Sequence, residues 1–363
     1  MLLKGAKILD GNYRFTYKDI LVADGKIDQV YLPGEGDHED FDIVDLSGKT
    51  ILPGLIDTHI HGVDGVDTMD ADLEPIAVFL AKHGATSFLP TTMTASLEDT
   101  YRVLNAKTDG KGAQILGFHL EGPYINPDWK GAQNPDFIKE PNWEDFMSFD
   151  NVRMLTIAPE LPGAMEYIKK ASKRFVVALG HTDCNYNTAI EAIACGANSV
   201  THLFNAMRPL KHREPGLIGA AGEKGIYAQI ISDGIHIHPA VVYLAYQIFG
   251  PSRLVLISDA MRATGLADGT YDLGGLAITV SGGVARTEGG NLAGSTATLW
   301  DCVKRAASFG IPFEDAVRMA SLTPAKMIGA DTKGVLSVGK DADLFVIDDD
   351  KNICYTMIAG RFQ

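Results

Sequence analysis

The chain has no run of about 18 apolar residues, the least that reads as a membrane-spanning helix. Its first residues, Met1 to Asp10, lack the basic-then-apolar layout of a secretory signal. Both absences point to a cytoplasmic protein. Cysteine is sparse: Cys184, Cys195, Cys302 and Cys354 are scattered and form no C-x-x-C pair. That excludes a disulfide framework and fits free, packed thiols in a reducing compartment. Positive charge is also short, with 32 Lys and Arg against 46 Asp and Glu, a net charge of −14. A general nucleic-acid binder needs the opposite balance. An anionic small substrate stays compatible only if a local patch of donors receives it. No G-x-G-x-x-G follows the first strand-like run, which weighs against a dinucleotide fold. No low-complexity segment or repeat occurs.

What remains is an ordinary globular composition, 46% hydrophobic and 21% charged, in 363 residues. That length predicts one large domain and a smaller one. Residues 1–50 read as short strands and turns, among them Leu2–Leu9, a turn at Asp24-Gly25, and Phe41–Leu46. The last thirty residues look alike, with strand-like runs at 334–336, 342–347 and 353–359. A small β-sandwich domain from both termini (1–52 and 333–363) flanking a central domain (53–332) is the expectation, because domain ends often lie together.

The centre alternates. Apolar strand-like runs fall at 55–61, 86–92, 115–121, 152–158, 175–181, 198–202, 227–232 and 253–259. Helical stretches at 74–83, 97–106, 163–173, 188–194 and 240–249 lie between several of them. Eight such units predict an α/β fold, a (β/α)8 TIM-like barrel, with a doubly wound open sheet as the rival. An inserted hairpin at 271–290 and helices at 296–308 and 313–329 complete it.

The chemistry gathers at the ends of these runs. In Asp57-Thr58-His59-Ile60-His61-Gly62, residues two apart on a strand share a face, so His59 and His61 project together. Two neutral imidazoles can chelate a borderline ion such as Zn²⁺; two turn histidines are the plainer reading. Glu121, His181, His202 and Asp259 each end a later run, where barrel active sites form. Left unpaired, these groups would be costly to bury, and a metal satisfies them together. Six ligands are too many for one tetrahedral ion that keeps a water. Either two ions share Glu121, one with His181 and His202 and the other with His59 and His61, or one site dominates. His119 shares the face of Glu121, but packing beneath the site explains it equally well. His83 ends a helix before Gly84, where a cation suits the helix dipole.

Longer motifs carry a resemblance. They are Pro53-Gly54-Leu55-Ile56-Asp57-Thr58-His59-Ile60-His61-Gly62, Leu120-Glu121-Gly122-Pro123-Tyr124, Gly180-His181-Thr182, Thr201-His202-Leu203-Phe204-Asn205-Ala206-Met207, Arg213-Glu214-Pro215-Gly216, Ser232-Asp233-Gly234-Ile235-His236, Ser258-Asp259-Ala260 and Gly339-Lys340-Asp341-Ala342-Asp343-Leu344. On these the chain resembles the amidohydrolase superfamily and, within it, the N-acetylglucosamine-6-phosphate deacetylases, over nearly its whole length. The H-L-F-N-A-M and R-E-P-G blocks are the specific ones.

The resemblance implies metal-dependent hydrolysis of an acetamide on a phosphorylated amino sugar, with one or two divalent ions per subunit (Zn, or Fe, Mn or Co). His59, His61, Glu121, His181 and His202 become the metal ligands. Asp259 becomes general base and then general acid, with a plain ligand or hydrogen-bond acceptor as its other reading. Gln133, Asn205, Ala206, Arg213, His236 and Leu292 become substrate-binding residues. Arg213, whose fork suits phosphate, is expected to reach a neighbouring site in a homodimer; Lys211 and His212 beside it read equally as a solvated loop. Gln133 stands where other members carry a substrate-contacting His, which leaves a neutral donor and acceptor in place of a possible cation. The alternatives are the galactosamine epimer as substrate, another amidohydrolase reaction, or a catalytically dead barrel.

Overall fold

Eight parallel strands form the centre of the protein. In this computed structural model, which describes residues 1–36 and 41–363, they run Leu55–Ile60, Ala85–Thr92, Phe118–Glu121, Val152–Ile157, Val176–Leu179, Ser199–Val200, Tyr227–Ile231 and Leu254–Ile257. Each falls on one of the eight predicted runs, and successive strands pair in order. The eighth closes toward the first: Asp259 N–H donates to the His59 carbonyl at 2.9 Å. The fold is therefore the (β/α)8 barrel and not the open sheet. The first two strands are buried at every residue, as parallel strands covered on both faces must be. Ile56, Leu89, Met154, Ala178, Ile231 and Val255 pack with Ala325, Met327 and Ile328 in one cluster, so the barrel has a filled core.

Helices Glu74–Lys82, Leu97–Leu104, Ala164–Ala171, Tyr186–Ala194 and Pro239–Phe249 lie where periodicity placed them. Their starts have local causes. Ser96, Asn185 and, for Leu299–Ser308, Thr298 each accept a hydrogen bond from a backbone N–H three residues on. The helix Gly216–Lys224 escaped the sequence reading because three glycines dilute its propensity. Two of them serve close packing: a Cβ on Gly219 would lie 2.3 Å from Pro215, and one on Gly222 would lie 2.9 Å from Ile248.

Three further elements differ from expectation. The helix predicted over 313–329 is two, Phe313–Met319 and Leu322–Ile328. Pro324 has no N–H for the Ala320 carbonyl, which instead accepts from Ile56 N–H of the first barrel strand at 2.8 Å. The run Leu2–Leu9 breaks at Gly5, whose φ is 78°, into Leu2–Lys4 and Lys7–Leu9 in separate sheets. The inserted hairpin has three antiparallel strands, Gly269–Leu273, Leu276–Ser281 and Val284–Thr287.

The termini share a sheet. Leu344–Ile347 pairs antiparallel with Thr50–Pro53, and Thr50–Pro53 pairs parallel with Lys7–Leu9. A second sheet holds Lys26–Tyr31, Asp19–Ala23, Leu2–Lys4 and Ile43–Asp45. Leu3, Ile8, Ile20, Ile27, Ile51, Leu344 and Met357 form a core of their own between them. This is a β-sandwich separate from the barrel. Among the described residues no helix is long and apolar enough to cross a membrane, and all four cysteines are free.

Candidate metal centre

The strands deliver their polar ends to one place. His59 lies within the first strand and His61 just past it, and Glu121 is the last residue of the third. His181, His202 and Asp259 each sit two residues beyond the fifth, sixth and eighth strands. All six are buried. The last three have left-handed backbone, with φ of 49°, 27° and 50°. A non-glycine residue held there costs about 1–3 kcal/mol, so the surrounding fold imposes these turns, which aim the side chains over the barrel mouth.

The side chains form two triads whose ligating atoms lie within 4.8 Å of one another: His59, His61 and Asp259, and Glu121, His181 and His202. Glu121 spans both. Its Oε1 lies 3.3 Å from His59 Nε2, 3.2 Å from His181 Nε2 and 2.9 Å from His202 Nε2, and its Oε2 is 3.2 Å from His61 Nε2. Asp259 Oδ1 is 3.4 Å from His59 Nε2 and 3.3 Å from His61 Nε2.

Outer partners fix which nitrogen faces inward. Nδ1 of His59 meets Gln229 Oε1 at 3.2 Å, that of His61 the Thr91 carbonyl at 3.1 Å, and that of His181 the Trp129 carbonyl at 3.0 Å. These oxygens only accept, so each Nδ1 carries a proton, and the ring in its neutral, metal-binding form keeps its lone pair on Nε2. Yet the Nε2 atoms of His59 and His61 are 3.3 Å apart, and those of His181 and His202 are 3.0 Å apart. The facing lone pairs of His59 and His61 repel unless a cation lies at their focus. The residues therefore fit a divalent metal, and the backing of histidine by carbonyls is the usual outer layer of such sites.

The electrostatics agree. Burial alone would raise the carboxyls of Glu121 and Asp259. The imidazoles around them, His59 foremost, reverse this and hold Glu121 well below the usual carboxylate range and Asp259 below it too. The centre therefore carries two carboxylates. His119 lies beneath, its ring edge-on to His59 at 4.6 Å and its Nε2 2.8 Å from Thr156 Oγ1. Burial pushes it well below the normal imidazole range. It stands in neither triad. His83 bonds the Phe79 carbonyl at 2.8 Å and stacks on its ring, away from the centre.

Above the centre opens a cavity of about 400 Å³. Gln133, Asn205, Ala206, His236 and Leu292 all line it. Arg213 does not: it is exposed on the loop before the helix Gly216–Lys224. Lys211 and His212 are exposed beside it. His236 is held by Asp233, whose Oδ2 lies 2.7 Å from His236 Nδ1. Burial pushes the imidazole down, but the Asp233 carboxylate more than offsets this and the net shift is upward. Phe204 and Ala206 have φ of 78° and 48°, and both line the cavity with Asn205 between them. Sequence reading missed Thr91, Trp129 and Gln229, which orient the histidines. Two of them act through carbonyls, which leave no residue signature.

Comparison with known proteins follows the same lines. The Amidohydrolase family model matches residues 50–362. The chain belongs to the amidohydrolase family. This amidohydrolase is 35% identical to the N-acetylglucosamine-6-phosphate deacetylase of Lysinibacillus sphaericus, over 100% of the chain and 97% of the relative. It is 37% identical to the N-acetylgalactosamine-6-phosphate deacetylase of Escherichia coli O157:H7, over 88% and 89%. A solved structure of the Mycobacterium smegmatis N-acetyl-D-glucosamine-6-phosphate deacetylase D267A mutant, in complex with N-acetyl-D-glucosamine-6-phosphate, matches with a TM-score of 0.91 and 35% identity, over 100% and 98%. Family and ligand set together point to a divalent metal in this amidohydrolase.

Proposed function

We propose that this amidohydrolase removes the acetyl group of N-acetyl-D-glucosamine 6-phosphate, releasing D-glucosamine 6-phosphate and acetate in the cytoplasm, as a step of amino-sugar catabolism and recycling. One observation carries the reading. A single cavity joins the His and carboxylate cluster on its floor to the Asn205-Ala206 turn and His236 on its wall. The names of the relatives support it.

His59, His61, Glu121, His181 and His202 would hold one or two ions, Zn²⁺ first, or Fe²⁺, Mn²⁺ or Co²⁺. A bound ion supplies a Lewis acid and brings the pKa of a water it holds from about 15.7 to about 7. The chain does the rest. Asp259, ionised and at the cavity floor, takes the proton of the water that adds to the acetamide carbon. It then delivers that proton to the sugar nitrogen as the C–N bond breaks. His236 offers its free nitrogen to the sugar while Asp233 fixes the ring. Gln133 and Leu292 complete the wall. Asn205 and the Ala206 N–H receive the phosphate, and backbone donors at such turns suit anions.

Arg213 completes the phosphate site of a second subunit in a homodimer. Exposed Leu210, Tyr243, Leu244 and Ile248, on that loop and the helix Pro239–Phe249, give a copy an apolar face to cover. Residues 53–332 act as the catalytic unit and 1–52 with 333–363 as the β domain.

The test is metal analysis with acetate release from N-acetylglucosamine 6-phosphate, its C4 epimer and unphosphorylated N-acetylglucosamine. The expectation is bound metal and fastest release from the first. Preference for the epimer would favour the second reading, which the Escherichia coli relative keeps open. No metal and no acetate would sink both.

A further inference from the structure

Gln133 lines the cavity at 2% exposure, and both ends of its amide are engaged. Its Oε1 accepts from Thr94 N–H at 2.6 Å, and its Nε2 donates to Glu121 Oε2 at 2.6 Å. A backbone N–H can only donate, so the amide has one orientation, with its own N–H toward the carboxylate. The other polar atom close to Glu121 Oε2 among the described residues is His61 Nε2 at 3.2 Å, the inward-facing nitrogen of that ring. Meanwhile Oε1 faces His59, His181 and His202. The terminal torsion of a glutamate is soft. Released from Gln133, the carboxylate can turn both oxygens toward the His181 and His202 side. Thr94 lies just past the second barrel strand, and Thr91 of that strand supplies the carbonyl that orients His61. One short segment thus sets both His61 and, through Gln133, the carboxylate oxygen beside it.

We propose that Gln133 is a positioning residue that keeps Glu121 shared between the two triads and so sets the metal affinity of the His59, His61 and Asp259 site. The proposal rests on the two-ion reading of the centre, and the experiment separates the two. Full-length protein is stripped of metal and titrated with Zn²⁺ against a competing chromophoric chelator. Wild type is expected to bind two ions. Gln133→Leu should weaken one site about 10- to 100-fold and leave the other within about twofold. In a His61→Ala background, which removes the weakened site, Gln133→Leu should change the remaining affinity by no more than about twofold. Gln133→His keeps an N–H donor and should retain both sites. Wild-type affinities in Gln133→Leu, or equal weakening of both sites, would overturn the proposal. A wild-type chain that binds one ion or none overturns the two-ion reading instead. If Gln133→Leu fails to fold by circular dichroism, Gln133→Met, of similar length and without a donor, replaces it. Equal second-site affinity in the Met and His variants would then refute the role.

Discussion

Asp259 combines burial, a left-handed backbone and two imidazoles within 3.4 Å of one oxygen. An amide in its place keeps the shape but cannot carry a proton through the reaction. Asp259→Asn should lower kcat by at least about 100-fold while metal stays bound at the Glu121, His181 and His202 site, as steady-state kinetics and metal analysis will show; near-normal turnover would remove the role. The Asp233 and His236 pair gives a second prediction at this scale. His236 is raised from 6.5, so its contribution to stability is present below pH 6.5 and is lost as pH rises through its folded pKa. Asp233 is lowered from 3.8, so its contribution is present above pH 3.8 and is lost as pH falls through its folded pKa. Their joint effect is largest between those values. Asp259 and Arg286 also face His236, the first raising and the second lowering it. Urea midpoints measured across that range should lose this pH dependence in Asp233→Asn, and an unchanged profile would refute it.

Among elements, the barrel strands were legible and their continuations were not. Apolar runs bounded by polar residues located all eight, because a strand buried on both faces needs such a run. The turns at His181, His202 and Asp259 have no such pattern, since left-handed backbone at non-glycine residues is imposed by packing. The split before Leu322 shows the same limit: Pro324 signals a break, but the new partner of Ala320 lies on a distant strand. Tyr13 belongs to this junction. Its hydroxyl meets Ser321 Oγ at 2.8 Å and the Gly334 carbonyl, and it accepts from Leu322 N–H at 3.2 Å. Tyr13→Phe leaves that half-buried backbone donor without its acceptor and the buried Ser321 hydroxyl without this partner, and should cost about 1–3 kcal/mol. Urea denaturation tests the loss, and KM should stay unchanged.

For the whole molecule, a net charge of −14 makes the reception of a phosphate a local matter. Arg213→Glu should raise KM for the 6-phosphate at least about 10-fold, as expected for removing a charge-assisted bond and opposing the anion, and far less for the unphosphorylated sugar. Equal effects would discard the assignment. Chelation should lower the thermal midpoint reversibly, because a ligand that binds only the folded state stabilises it; restored Zn²⁺ should restore the midpoint. The sequence by itself determined the barrel, the β-rich termini and the six polar residues that gather at the strand ends, because burial periodicity and strand-end placement are local properties of the chain. Only the tertiary structure decided that Glu121 touches both triads, that Gln133 faces Glu121 rather than standing free, and that Arg213 lies outside its own cavity. Those facts depend on side chains from different strands and loops meeting at about 3 Å, a distance that no spacing along the chain encodes.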